Sequence, residues 1–284
     1  MNALPVSVFY DYCNERYAIF LKRQAGLPPP WTEDPILREW KFCCVHREVD
    51  RHTQWLFKNL YQPALLNKTP FDLILFNVCC HREFNWRPTS ELLGFLKHWE
   101  PAKVARNLRA RANIGEQIFT NAHLVRSENG RLKIESVVDI LTPIWTERKE
   151  LVRQFREWRS MEQAHDRLCV YRFLGEFLCY QFLMDLQYTP ILSDATDLRT
   201  WAAVGPGALK GVRLIYPDAT MGTALARMHD ILATAPKYAS PELQKFRVPM
   251  TINFVEHNSC ELYKYIKTKR GEGTPRNRYK RGGY

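Results

Sequence analysis

A short segment near the C-terminus holds many side chains that can exchange protons. Within ten residues it contains two carboxylates, an imidazole, a thiol, an amine and a phenol: Glu256, His257, Cys260, Glu261, Lys264 and Tyr265. Carboxylates and imidazoles are common general bases, and a protonated amine stabilises a departing anion. Glu256, His257 and Glu261 are therefore candidate catalytic groups, and Lys264 and Tyr265 are candidates for substrate contacts. A structural cluster that anchors the end of the chain is the alternative.

A further candidate base lies in the most apolar segment, residues 168–188, which predicts one central buried helix. This segment also carries polar and charged side chains: Arg172, Glu176, Gln181 and Asp185. Buried charge is costly unless it is paired or faces a wet cavity. We expect these groups either to pair with Arg47 and its neighbours or to line a pocket. Asp185 is then a fourth candidate catalytic group, with Tyr180 and Gln181 as substrate contacts.

Arg47 belongs to a helix predicted from a strong start signal. Asp34 can cap a helix whose first residue is Pro35, and the apolar pattern continues to about Leu60. Helical spacing places four polar residues on one face: Arg47, Asp50, Arg51 and Gln54. Arginines bind carboxylates and phosphates through paired hydrogen bonds, so we expect Arg47, Asp50 and Arg51 to contact substrate. A solvated, salt-bridged helix face is the alternative.

Two features predict contacts with DNA. Gly205-Pro206-Gly207 lies between helical segments, where backbone N–H groups at a helix start can bind phosphate; Gly205, Gly207 and Lys210 are the predicted contacts. A plain turn between helices is the alternative. Residues 264–284 carry eight Lys and Arg residues against one Glu and supply +7 of the net charge of +11. From this basic tail we expect contacts with phosphates, weakened by salt, through these residues: Lys269, Arg270, Arg276 and Arg278.

Composition excludes several classes of protein. At 284 residues and 45% hydrophobic content, the chain predicts a large core and excludes general disorder. Its eight cysteines include no Cys-x-x-Cys pair, which indicates a reducing compartment, and we predict no metal and no cofactor. The longest nearly apolar run, residues 71–80 with Asp72 and Asn77 inside it, is too short to cross a bilayer, and no leader peptide is recognisable. We therefore expect a cytoplasmic protein without membrane contacts.

The predicted fold is mainly α, with one small β-hairpin. An amphipathic helix is predicted over 8–25, and Asn129-Gly130 is a hairpin turn flanked by alternating residues in 124–127 and 132–135. Trp31 and Trp55 are predicted to be core residues. We expect one helical catalytic domain, 1–263, and the basic C-terminal tail, 264–284.

Several separated motifs resemble a known family. They follow one another in the order Glu15-Arg16-Tyr17, Pro30-Trp31-Thr32-Glu33-Asp34-Pro35-Ile36-Leu37, Phe42 with Arg47-Glu48-Val49-Asp50-Arg51, Gly205-Pro206-Gly207-Ala208, and the block from Glu256-His257 to Lys264-Tyr265. This series resembles the α-glutamyl/putrescinyl thymine pyrophosphorylases, whose relatives are the helical domains attached to hydroxymethyl-uracil DNA kinases. The resemblance covers almost the whole chain.

The resemblance implies a helical fold related to helix-hairpin-helix DNA glycosylases and a role in phage DNA hypermodification, in the host cytoplasm. The partners it implies are DNA carrying phosphorylated hydroxymethyl-uracil and a free amine: an amino acid such as glycine or glutamate, or putrescine. The enzyme would act after a hydroxymethyl-uracil DNA kinase and replace the phosphate or pyrophosphate with the amine. No Gly-x-x-x-x-Gly-Lys-Ser/Thr loop is present, so the chain is not the kinase itself.

Two other functions stay open. A DNA glycosylase would use Asp185 or Glu261 to assist water or to stabilise positive charge at the sugar, and would need no second substrate. A DNA-binding accessory without catalysis would explain the basic tail but not the buried charges. For the amine-transferring enzyme, we expect the base to leave the duplex stack for a pocket with aromatic residues such as Tyr180 or Trp201 in its wall.

Overall fold

The computed structural model describes residues 3–121, 131–246, 248, 250–275 and 277–279. Within these ranges the chain is mainly helical, as predicted. It divides into two compact units, which we name the terminal unit (Met1–Val49 with Arg199–Tyr284) and the central unit (Asp50–Leu198). No helix in the described ranges is both long and apolar enough to span a lipid bilayer.

The terminal unit packs around its last helix. Its helices are α1 (Ser7–Gln24), α2 (Pro35–Glu39), a 3₁₀ turn (Arg47–Val49), α11 (Pro206–Ile215), α12 (Met221–Ala233), α13 (Ala235–Tyr238) and α14 (Ile252–Lys269). Helix α14 contacts α1, α2, α11 and α12. It can approach α11 very closely because Gly211 has no side chain: a Cβ there would lie 1.9 Å from the carbonyl oxygen of Ser259. Helix α14 is therefore the element that positions this unit's side chains.

The central unit packs around α5. Its helices are α3 (Arg51–Leu56), a π-helical turn (Phe57–Tyr61), α4 (Gln62–Leu66), α5 (Phe71–Phe84), α6 (Arg87–Leu93), α7 (Pro101–Asn113), α8 (Lys133–Trp158), α9 (Met161–Cys169) and α10 (Glu176–Leu186). Helix α5 is buried continuously from Ile74 to Phe84 and packs against α8 and α10. Three ionisable side chains in this buried stretch, His81, Arg82 and Glu83, require partners or neutral forms.

The helix predicted from Asp34 begins as expected and ends early. The Asp34 carboxylate accepts hydrogen bonds from the N–H groups of Ile36 and Leu37 at 2.8 and 2.9 Å, and Pro35 is the first helical residue. Helix α2 then ends at Glu39, and the prediction of a helix to Leu60 is wrong. The chain runs without helix to Arg47 because side chains of α1 and α14 bond its backbone, as described below. Arg47, Asp50 and Arg51 therefore do not share a helix face. The alternative, a salt-bridged face of one helix, is wrong for the same reason.

The single buried helix predicted over 168–188 is two helices. Helix α9 ends at Cys169 and α10 begins at Glu176, with Gly175 as its N-cap. Between them Phe173 has a left-handed backbone, with φ of +66°, which no α-helix contains. Glu176 and Arg172 are exposed, so only the second half of the predicted helix is buried on nearly all sides.

Three other expectations concern local structure. The Asn129-Gly130 turn and the first predicted hairpin strand lie outside the described residues, but the second, 132–135, is wrong because α8 begins at Lys133. Trp31 and Trp55 are half-exposed and not core residues. Residue 264 lies inside α14, so the basic tail begins as helix; the division into one domain and a tail stays a prediction.

Candidate active site

One side of α14 carries three ionisable side chains at helical spacing: Glu256, Cys260 and Lys264. Residues four apart on a helix lie on the same face. Glu256 and Cys260 are half-buried, and the Lys264 side chain is 47% exposed. Each of the three side chains keeps part of its surface exposed, and we call this row the open face of α14.

The neighbouring side of α14 binds the extended segment 43–45. Glu261 accepts a hydrogen bond from the Cys43 N–H at 3.0 Å. His257 Nε2 donates to the Cys44 carbonyl at 2.8 Å, and Asn258 Nδ2 donates to the Val45 carbonyl at 2.9 Å. These bonds replace the helical hydrogen bonds that the segment lacks. His257 and Glu261 thus hold the backbone of this segment, and their catalytic roles stay predictions.

Arg16 of α1 completes this buried cluster. Its guanidinium donates to the side-chain oxygen of Asn258 at 2.7 Å and to the carbonyl of Cys43. The charge also lies 4.8 Å from the centre of the Tyr12 ring. Arg16 is almost fully buried and was missed as a site residue from sequence. The available signal was a basic residue on the apolar side of a predicted amphipathic helix.

Glu261 is held as a carboxylate by its surroundings. Its side chain is 4% exposed and lies 2.6 Å from the Lys264 ammonium. Burial alone would raise the pKa of Glu261, but the charges of Lys264 and Arg16 lower it to about 2. Burial alone would lower the pKa of Lys264, but the Glu261 carboxylate outweighs this effect and raises it. Lys264 therefore stays protonated. Glu261 is consequently a weak base with its lone pairs already engaged.

Glu256 has the opposite character. Burial raises its pKa to about 7, even though the Gly205 N–H, 3.4 Å from Oε1, acts in the other direction. Gly205 is the N-cap of α11, and a Cβ at Gly207 would lie 2.6 Å from the Cys260 sulfur. The open face of α14 therefore meets the N-terminus of α11. A carboxyl group with a pKa near 7 can take up or release a proton at neutral pH.

The other predicted residues of the terminal unit have identifiable contacts. Arg47 is half-buried. Burial lowers the pKa of His257, the charge of Arg47 lowers it further, as that of Arg16 does, and the resulting pKa is about 4. The Tyr265 hydroxyl donates to Asp34, the cap of α2. Lys210 lies 5.5 Å from the centre of the Tyr263 ring. Tyr265 therefore links α14 to α2. Arg47 begins the 3₁₀ turn, and Lys210 lies in α11.

In the central unit, the predicted residues Asp185 and Asp50 belong to a buried network. Arg82 donates to Asp185 through Nε at 2.8 Å and Nη2 at 2.6 Å, and both side chains are almost fully buried. Arg82 Nη2 also donates to the Thr53 hydroxyl, which in turn donates to Asp50 at 2.8 Å. Arg82 is thus one partner of Asp185, and the expected pairing of Asp185 with Arg47 and its neighbours stays a prediction. The Asp185 side chain is fully buried, and its catalytic role stays a prediction.

The remaining central residues are positioned as follows. Asp50 caps α3 by accepting from the Thr53 N–H at 2.7 Å, and Arg51 is the exposed first residue of that helix. Tyr180 is buried in α10 and Gln181 is half-buried. Arg82 was missed from sequence because its helix, α5, reads as an apolar run until its last turn. Substrate contacts by these residues stay predictions.

The predicted DNA contacts lie at two places in the terminal unit. Lys269 and Arg270 end α14. Arg278 forms an ion pair with Glu39 and an antiparallel bridge with Trp40, while Arg276 lies outside the described residues. No group of three or more His, Cys, Asp or Glu side chains in the described ranges is arranged to hold a metal.

Comparisons with known proteins place the chain in a family. The family described as 5-hmdU DNA kinase, helical domain, matches residues 5–274. A 5-hmdU DNA kinase of Bacillus phage SP10 is 28% identical over 225 residues, which cover 72% of this chain and 35% of that protein. The chain thus spans about a third of the length of this curated relative. No solved structure matches the chain.

These matches support one part of the resemblance seen in the motifs. They agree with the helical domains of the kinases, while membership of the thymine pyrophosphorylases and a likeness to helix-hairpin-helix glycosylases stay predictions. The family match includes α1, the extended segment 43–45, α11 and α14, which together build the open face and its supports. The chain belongs to the family of 5-hmdU DNA kinase helical domains.

Proposed function

We propose that this chain is a DNA-modifying transferase that acts on phosphorylated 5-hydroxymethyl-uracil in DNA. It replaces the phosphate or pyrophosphate group on the methylene carbon with an amine, from an amino acid or from putrescine. Family membership supports a substrate derived from hydroxymethyl-uracil, since the related phage protein is a kinase named for that nucleoside. The chain has no phosphate-binding loop of its own, which favours a step after phosphorylation.

The reaction needs a base and a site for the leaving group. The amine nitrogen forms a bond to the methylene carbon, the carbon–oxygen bond breaks, and the phosphate leaves with the electron pair. An amine attacks only when it is neutral, so its proton must go to a base. The departing phosphate carries additional negative charge, which cations or N–H groups stabilise.

The open face of α14 offers both functions. Glu256, with a pKa of about 7, is the base we assign, because a proton acceptor works best when its pKa is near the working pH. Lys264 stays protonated beside Glu261, and the N–H of Gly205, the N-cap of α11, lies next to Glu256. The observation that carries the proposal is this placement of a near-neutral carboxyl group at a helix N-terminus, on the same helix face as a cation.

The test is to follow the modified nucleoside directly. The protein is incubated with DNA carrying phosphorylated hydroxymethyl-uracil and a mixture of amino acids and putrescine, and the digested nucleosides are analysed by mass spectrometry. We expect a new nucleoside whose mass equals that of thymidine carrying the amine on its methyl carbon. Omitting the amines serves as the control and must leave the phosphorylated nucleoside unchanged.

Other outcomes decide against the transferase. A glycosylase leaves the modified base free and an abasic site in the strand, which alkaline cleavage detects. An accessory protein leaves the DNA unchanged in every mixture. Because a transferase keeps the bond between base and sugar intact, abasic sites or unchanged DNA would each overturn the proposal.

A further inference from the structure

The terminal unit contains a cavity that the proposed chemistry does not use. Its volume is about 310 Å³, and Trp31 and Tyr279 line it together with Pro30 and Leu37. Both aromatic side chains are half-exposed, so their rings are accessible. Pockets that hold small organic groups are mostly apolar and begin at about this volume. The cavity is therefore large enough for a planar ring of the size of a nucleobase.

Both aromatic residues are held by contacts of their own segments. The Trp31 indole N–H donates to the carbonyl of Leu27 at 2.7 Å. The backbone N–H of Tyr279 donates to the carbonyl of Glu39 at 2.9 Å, beside the bridge between Trp40 and Arg278. The Trp31 ring and the backbone of Tyr279 are thus held in place before any ligand arrives, which lowers the entropy cost of binding.

Three basic side chains lie in or beside the wall of the cavity. Arg23 lies 5.4 Å from the centre of the Trp31 ring, and Lys41 lies 5.4 Å from that of the Tyr279 ring. Arg38 is an exposed part of the wall. The nearby Glu39 carboxylate is already paired with Arg278, and no carboxylate lines the cavity among the described residues. This charge favours an anionic ligand.

We propose that the cavity binds one base of a single-stranded or locally unpaired stretch of DNA, stacked on Trp31 and Tyr279, while the surrounding cations contact the flanking phosphates. Proteins that bind single strands combine these two features, aromatic platforms and a positive groove. The inference rests on the proposed function in taking DNA as the substrate. It adds a second holding point on the strand, apart from the base that reacts at α14.

The test measures binding without turnover. The affinity of the full chain for a fluorescent single-stranded oligonucleotide of about 12 nucleotides is measured by anisotropy, for the wild type and for Trp31→Ala. We expect Trp31→Ala to weaken binding about 5- to 100-fold, as loss of one stacked base does, and Trp31→Phe to keep most of the affinity. Phe177→Ala is the matched control, because Phe177 is an aromatic residue 55% exposed in the central unit. Circular dichroism checks that each variant is folded.

A probe with abasic positions tests stacking on the wild type alone. Replacing the bases by abasic linkers should weaken wild-type binding by a larger factor than it weakens the binding of Trp31→Ala. Equal wild-type affinity for intact and abasic probes overturns the inference, as does undiminished binding by folded Trp31→Ala. Because no chemistry occurs in this assay, its failure is distinct from the failure of the transferase, which the mass of the nucleoside reports.

Discussion

Glu256 and Glu261 lie five residues apart on α14, and their surroundings separate their acidities. Burial raises the pKa of Glu256 to about 7, whereas Lys264 and Arg16 overcome burial and lower the pKa of Glu261 to about 2. Two carboxyl groups with such different pKa values can have different tasks. In this helix, the proton-exchanging group is Glu256 and the permanently charged group is Glu261.

The first prediction concerns Glu256→Gln. Loss of the base should reduce the rate of amine transfer about 10²- to 10⁴-fold. In the wild type, the rate should rise with pH up to about 7 and reach a plateau above it, because only the ionised Glu256 accepts a proton. The variant should lose this inflection. Rates measured from about pH 5.5 to 8.5 with saturating amine check both points.

Glu272→Gln is the matched control, since Glu272 is an exposed acid of the same unit. It should leave both the rate and the pH profile unchanged. If Glu256→Gln keeps the inflection near neutral pH, another group is the base and our assignment is incorrect.

Glu83 in the central unit gives a prediction about stability. It is fully buried, and neither carboxyl oxygen has a hydrogen-bond partner within the described ranges. Burial raises its pKa to about 8, with Lys133 acting in the opposite direction. The folded protein therefore keeps a proton on Glu83 that the unfolded chain releases above its ordinary pKa near 4.5. Stability conferred by this proton is complete at low pH and is lost as pH rises towards 8.

Glu83→Gln should remove that dependence. Between about pH 5.5 and 7.5, the free energy of unfolding of Glu83→Gln minus that of the wild type should increase by about 1.4 kcal/mol per pH unit. Urea denaturation at several pH values measures the difference. Glu162→Gln, at an exposed acid of the same unit, should show no such trend. A constant difference for Glu83→Gln would mean that Glu83 is ionised in the folded protein.

At the scale of elements, the crossing of α11 and α14 depends on Gly211. A Cβ at this position would lie 1.9 Å from the Ser259 carbonyl oxygen, and that atom belongs to the backbone of α14. Gly211→Ala must therefore push the two helices apart. We expect a loss of about 2–4 kcal/mol in the free energy of unfolding, measured by urea denaturation. Transfer activity should fall as well, because moving α11 away from α14 also moves Gly205 away from Glu256.

Gly222→Ala tests whether the effect comes from the crossing or from the helix. Gly222 is also helical, in α12, and the nearest atom to an added Cβ is the Thr220 hydroxyl at 3.9 Å. Alanine is the better helix former, so this variant should be stabilised by up to about 1 kcal/mol. If Gly211→Ala behaves in the same way, the helices have room to move and the close approach is not needed.

Local sequence signals predicted several helix boundaries correctly. They failed where residues far away in the sequence determine where a helix ends. Asp34 and Pro35 mark the start of α2 because capping is a property of a few neighbouring residues. The end of α2 at Glu39 had no such signal. A few residues later, the side chains of Glu261, His257 and Asn258 bond the backbone of residues 43–45, which forms no helix. Those partners are more than 200 residues away in sequence. Periodicity within 35–60 contains no information about them.

The candidate site was partly predictable for the same reason. The density of ionisable groups from Glu256 to Tyr265 is visible in the sequence, and α14 holds them on one helix. Which of them faces solvent depends on Arg16 and the extended segment, whose positions follow from tertiary packing. Asp185 shows the same limit, because only the fold reveals that Arg82, 103 residues earlier, is one partner.

At the scale of the whole molecule, the net charge of +11 predicts how DNA binding depends on salt. Neutralising Arg276, Lys280 and Arg281 to Gln removes three charges and leaves Tyr279 in place. The slope of log affinity for duplex DNA against log salt concentration should become shallower by up to about 2.7, if each charge contacts one phosphate. Anisotropy titrations between about 50 and 200 mM salt measure this slope.

Three lysines of the central unit form the control for this experiment: Lys58, Lys97 and Lys149. All three are exposed. Their replacement by Gln makes the same change in net charge away from the tail and should leave most of the slope intact. Equal slopes for both triple variants would show that overall charge, and not the tail, determines the binding to duplex DNA.

The terminal unit is built from the two ends of the chain, with the central unit between them in sequence. The apolar residues of α1 are buried against late segments: Phe9 packs on Phe254, and Tyr10 on Tyr238. At a synthesis rate of about 5–20 residues per second, the late segments that contain Tyr238 and Phe254 leave the ribosome roughly 10 to 50 seconds after α1. The central unit can fold in that interval, whereas the apolar side of α1 stays open to chaperones or to aggregation. Slow translation and chaperone supply should therefore affect the yield of active protein through this helix.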